Sequence, residues 1–186
     1  MKRFLFAFLF ATTLSQAATI NITAPSSVTG STFDVQVNAK NVFTNFPGEA
    51  ITGFGFNVTV SSPSVTFTGE NVNNTYFDDF TGCCGSTVVG LTSLSYPAGI
   101  ASTDFTAPLL LATLHFSVNG PGKVTIGVTA DNNSDPNQGL IFLSGGESFS
   151  ASQDVTITAT PEPGAILLSV LGLGVLALGK RHLLPR

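Results

Sequence analysis

The chain has 186 residues, 43% hydrophobic and only 10% charged, with 19 Gly, 10 Pro, 16 Phe, 2 Cys and no Trp. That length suits one domain, and so few charges spread evenly would leave a poorly soluble surface, so the apolar excess has to be concentrated somewhere. Over residues 18–160 only Lys40 and Lys123 oppose ten carboxylates, a net charge of −8 that excludes the basic face a nucleic-acid binder needs. Part of the excess sits at the start. Met1-Lys2-Arg3 precedes the apolar residues 4–14, and Ser15-Gln16-Ala17 follows. A positive n-region, a short h-region and small residues at −3 and −1 predict a signal peptide over 1–17, cut by signal peptidase between Ala17 and Ala18. Eleven apolar residues are too few to cross a bilayer.

From Ala18 onward the pattern has period two. Phe33, Val35, Val37 and Ala39 alternate with Asp34, Gln36 and Asn38, and Phe54, Phe56, Val58 and Val60 alternate with Gly55, Asn57 and Thr59. Leu110, Ala112, Leu114, Phe116 and Val118 form one face opposite Leu111, Thr113, His115 and Ser117. Val124, Ile126, Val128 and Ala130 repeat the device, and Val155, Ile157 and Ala159 close the domain. Alternation over β-branched and aromatic residues, bounded by turns such as Asn119-Gly120-Pro121-Gly122, predicts half-buried antiparallel strands and no helix before Gly164. The expectation is an all-β, antiparallel, two-sheet, jelly-roll-like sandwich over 18–159, cored by the 12 Phe of that segment.

Between these strands, Cys83 and Cys84 are adjacent in Thr81-Gly82-Cys83-Cys84-Gly85. Export favours oxidation. Neighbouring Cα atoms lie only about 3.8 Å apart, so a vicinal disulfide is strained, and an intermolecular link or two thiols stay open beside it. Asp78 and Asp79 are a carboxylate pair of the kind glycoside hydrolysis uses, but adjacent strand residues point to opposite faces and do not converge. Phe77 and Phe80 around them are expected to staple a long loop to the core. His115 is the single histidine over 18–160, read as solvent-facing, and no Gly-x-Ser-x-Gly sequence occurs. Nucleophile, base and orienting group therefore cannot be assembled, and the expectation is a non-enzyme with no catalytic residue. Tyr76 and Tyr96, without any Trp, make a thin platform for stacking sugars.

Asp131, Asn133, Asp135 and Asn137 place oxygens at positions 1, 3, 5 and 7 of a loop, the spacing that converges on Ca²⁺. Position 6 is Pro136 and position 12 is Phe142, which excludes the helix-flanked form of such a site. The same residues make an Asx-rich turn for backbone reasons alone. No other cofactor is indicated.

The tail covers 160–186. Pro161-Glu162-Pro163 precedes an apolar stretch, 164–179, and a basic end, 180–186, that opens with Lys180 and Arg181. Sixteen residues span about 24 Å as a helix, so this is a short transmembrane helix, with Lys180 and Arg181 as its cytoplasmic stop. Residues 18–159 then lie outside the inner membrane. This order of motif, helix and basic cluster resembles the PEP-CTERM sorting signal of exopolysaccharide-producing Gram-negative bacteria. The resemblance implies processing by an exosortase near Pro161-Glu162-Pro163 and delivery to the cell surface or extracellular matrix. The two prolines suit a processing site, because they hold the segment extended.

Gly30-Ser31-Thr32-Phe33-Asp34-Val35-Gln36-Val37, Gly53-Phe54-Gly55-Phe56-Asn57-Val58 and Leu111-Ala112-Thr113-Leu114-His115-Phe116-Ser117-Val118, followed by Gly122-Lys123-Val124, resemble the cohesin-type sandwich related to carbohydrate-binding modules. Ser62-Pro63 stands where that family often has an aspartate-proline pair. The resemblance implies a surface module with a structural or adhesive role, whose partner is another surface protein or, in the alternative, extracellular polysaccharide bound by the module.

Overall fold

A computed structural model describes residues 18–82 and 85–158, and the expected signal peptide, Cys83-Cys84 and the expected sorting tail lie outside them. Twelve strands form two sheets: β1 (Thr19–Thr23), β2 (Ser27–Val28), β3 (Thr32–Lys40), β4 (Ile51–Val60), β5 (Val65–Val72), β6 (Phe77–Asp79), β7 (Val88–Thr92), β8 (Leu109–Val118), β9 (Gly122–Ala130), β10 (Gly139–Phe142), β11 (Gly146–Glu147) and β12 (Phe149–Ile157). The smaller sheet runs β1-β3-β8-β5; in the larger, β4 is flanked on one edge by β7 and then β6, and on the other by β9 and β10. No helix among the described residues is long and apolar enough to cross a membrane. The all-β sandwich is as the alternation predicts.

Phe33, Val35, Val37 and Ala39 all face inward, as do Phe54 and Phe56 opposite them. Aromatic rings dominate the interior: Phe54 meets Phe77 edge-on with centroids 4.9 Å apart and stacks on Phe56 at 5.8 Å, while Phe116 stacks on Phe33 at 5.3 Å. Offset and edge-to-face pairs of this kind add to the area they bury.

Three departures have local causes. Along β8 the expected inward set is displaced at its start, where Leu109 and Leu111 are buried and Leu110 is half-exposed. The register against β3 slips between Val37, opposite Ala112, and Asn38, opposite Leu110, so Leu111 is the extra residue of a bulge and the faces change over there. Phe77 is buried as expected, but Phe80 is 44% exposed, because alternation along β6 turns it to the outer face. Finally, β2 pairs with β12 in parallel, the one exception to an antiparallel set among the described strands.

Because Phe54 is wholly buried and wedged between Phe56 and Phe77, Phe54→Ala is expected to lower unfolding stability by about 3–5 kcal/mol. Urea unfolding monitored by circular dichroism measures it.

Candidate functional site

The arrangement around β4 places the candidate residues. Asn57–Val60 of β4 pair with β9, and Ile51–Gly55 on the same edge pair with β10. The two partner strands therefore lie end to end, and residues 131–138 between them are thrown out as a loop. That loop folds back over β4, where a Cβ on Gly55 would collide with the carbonyl oxygen of Asn137. Only glycine allows so close a backbone approach within a strand.

All four expected oxygen ligands lie in this loop, with the two carboxylates turned to its own donors. Asp131 accepts from the Asn133 amide at 3.1 Å and from the Ser134 hydroxyl at 2.5 Å, and Asp135 accepts from the Asn137 amide at 2.9 Å and its side-chain Nδ2 at 3.1 Å. These are Asx turns, in which the side chain replaces a backbone acceptor two residues back. Between them, Asn132 donates to the carbonyls of Pro136 and Gln138. The Ser134 hydroxyl is the main cause that holds the Asp131 carboxyl below its ordinary value; it works against an opposing desolvation, and Asn133 lowers the value further. A cation taken up here would replace these bonds. Among the described residues no three His, Cys, Asp or Glu side chains converge on a metal position.

His115 stands on the outer face of the smaller sheet, one third exposed. Its Nδ1 lies 2.8 Å from Asp34 Oδ1, and Asn71 Nδ2 lies 2.8 Å from Nε2. With the Asn71 amide donating to Nε2, the ring proton belongs on Nδ1, which donates to Asp34. Nε2, the atom a general base would use, is thus already capped. Asp78 and Asp79 are both exposed on β6. Tyr76 and Tyr96 face each other with centroids 5.4 Å apart, and the Tyr76 hydroxyl donates to the Asp104 carbonyl, so neither ring offers a free platform.

What alternation did not disclose is the outer face of the larger sheet. Gly53, Leu91 and Asp78 stand in one row with Ile141 on β10. Gly53 has no side chain, and Leu91 lies across it, with Cδ2 2.9 Å from where a Cβ would be. Leu91 is 37% exposed, Phe80 stands one row further, and Leu143 beyond β10 is 78% exposed. The sequence signal was Gly53-Phe54-Gly55-Phe56: aromatic on one face, bare backbone on the other.

Ser134→Ala is expected to move the Asp131 pKa up toward its ordinary value near 3.8. Since the ionised carboxylate holds the turn, the turn is complete above the ordinary carboxylate range and is lost as pH falls through the lowered pKa. In the variant the loss begins at higher pH, and the pH dependence of the Asn133 amide resonance reads both midpoints.

No family model matches the sequence, and no curated protein does. Among solved structures, a cohesin module from a Clostridium perfringens family 33 glycoside hydrolase is similar at a TM-score of 0.54 and 11% identity, over 77% of this chain and 97% of that one. The sixth cohesin of Acetivibrio cellulolyticus scaffoldin B, solved in complex with a dockerin, aligns at a TM-score of 0.48 and 14% identity, over 77% of this chain and 100% of that one. Likeness at such identity is likeness of fold, and the first of these carries it: the described residues form a cohesin-like β-sandwich.

Proposed function

We propose that this protein is an exported, non-catalytic binding module that engages another surface protein through the outer face of β6, β7, β4 and β10. The observation that carries the reading is the exposure of Phe80, Leu91 and Leu143 on the face where β4 presents Gly53 in place of a side chain. Apolar side chains gathered on an otherwise polar surface mark interaction sites more often than lone ones do. A cohesin-like sandwich suits a binding role, and the apolar character of this face suits a protein partner better than a sugar.

Residues 1–17 and 160–186 complete the proposal as addresses. The signal peptide exports the chain, and Pro161-Glu162-Pro163 with its apolar stretch and Lys180-Arg181 presents it to an exosortase at the inner membrane, for release to the surface or matrix of a Gram-negative bacterium. An adhesive or structural role follows from such placement.

A second reading, glycan binding, is favoured by a cleft of about 600 Å³ lined by Asn71, Asn73, Asn74, Asp79 and Thr113. Amides and a carboxylate suit sugar hydroxyls, although Asn73 already donates to the Leu110 carbonyl and Asn71 to His115.

Replacing Leu91 and Leu143 together by Asp is expected to cut retention of the protein on envelope fractions at least about tenfold, while leaving its circular dichroism and unfolding midpoint in place. Enzymatic removal of polysaccharide from the fractions separates the readings. Retention that vanishes with the polysaccharide and survives the double substitution overturns the protein-partner reading.

A further inference from the structure

Glu147, on β11, is 8% exposed, a rare state for a carboxylate. Its Oε1 accepts from the Asn45 side-chain amide at 2.7 Å and from the main-chain nitrogen of Ala18 at 2.9 Å. Its Oε2 is buried with no hydrogen-bond partner. Among the described residues neither Lys40 nor Lys123 pairs with a carboxylate, so no lysine there compensates Glu147. A buried carboxylate without a cation and with one oxygen unsatisfied is costly. Beside it lies the nitrogen of the residue at which the sequence predicts the mature chain to begin, and Ala18 itself packs against the core.

We propose that Glu147 is a receptor site for the protein's own new N-terminus: cleavage after Ala17 turns the Ala18 nitrogen into an ammonium that pairs with the buried carboxylate and locks the sandwich. The inference rests on the export reading above. The chemistry changes at one atom. An Ala18 inside a longer chain offers one N–H and no charge. As a free terminus it carries three N–H donors and, with an ordinary α-amino pKa of about 7.7–8.0, a positive charge at neutral pH. One donor keeps the bond to Oε1 and another becomes available to Oε2. The site joins three segments distant in sequence, since Ala18 leads into β1, Asn45 belongs to the β3–β4 loop and Glu147 follows β10. Processing therefore tightens the end of the sandwich where both sheets meet the long loop.

The test uses the full-length chain expressed in an exporting host, alongside Ala17→Leu, whose bulky −1 residue blocks signal peptidase. Both are solubilised in detergent and their resistance to limited proteolysis within the β-sandwich is compared. N-terminal sequencing of the processed chain is expected to begin at Ala18. Processed protein should be cleaved at least about tenfold more slowly than the Ala17→Leu precursor, and Glu147→Gln should abolish that difference while leaving the precursor within about twofold. Asn45→Ala, which removes the uncharged donor, should weaken both forms alike. A first residue other than Ala18 overturns the lock together with the predicted cleavage point. A first residue of Ala18 with equal resistance in both forms overturns the lock alone and leaves the export reading standing. Equal loss in both forms on Glu147→Gln also overturns it. Should Glu147→Gln fail to accumulate, the comparison of processed chain with Ala17→Leu precursor still decides.

Discussion

Hydrogen bonding along one edge of β4 passes from β9 to β10 between Asn57 and Gly55, and the residues between those two strands have to leave the sheet. The same break recurs one strand further out, where β12 pairs with β9 and β11 with β10. A sheet interrupted this way needs a partner for each backbone group released. The Asx turns of Asp131 and Asp135, with Asn132 bonding the carbonyls of Pro136 and Gln138, meet that need inside the loop. The loop is then rigid enough to rest on Gly55. The apolar face beside it exists because Gly53 leaves room for Leu91 to lie flat. Loop and face are two results of one register on β4.

Alternation exposes the long strands because each has one wet and one dry face. It made β3, β4, β8, β9 and β12 readable, and with them the two-sheet class. It missed β1, β2, β6, β7, β10 and β11, which run only two to five residues and carry too few alternations to register, and it missed the longer β5, where a register shift between Phe67 and Gly69 breaks the alternation. A bulge is invisible for a related reason: Leu109, Leu110 and Leu111 are chemically equivalent, so only the pairing with β3 decides which of them turns outward. Among the expected site residues, Asp131, Asn133, Asp135 and Asn137 were legible as one turn because turn chemistry is local. Glu147 was not, since its significance depends on Ala18 and Asn45, which lie 129 and 102 residues away.

Electrostatics enters this fold in an unusual proportion. The exposed pair of His115 and Asp34 is of the kind that contributes little to stability, and ten carboxylates against two lysines leave the segment at −8 with few pairings available. Cohesion comes instead from the phenylalanine core and from side-chain bonds to the backbone, such as those of Asn73 to Leu110 and Asn119 to Pro63. Salt screens neither of these appreciably. Glu147 is the exception, because its burial removes it from screening and makes its partner matter. In a chain this poor in cations, a lysine or arginine brought inward would add the entropy cost of a long side chain, whereas a terminal ammonium on Ala18 carries its charge on the backbone, where β1 already holds it in place. On the processing proposed above, a sandwich with this one buried acid therefore gains its cation only when residues 1–17 are removed.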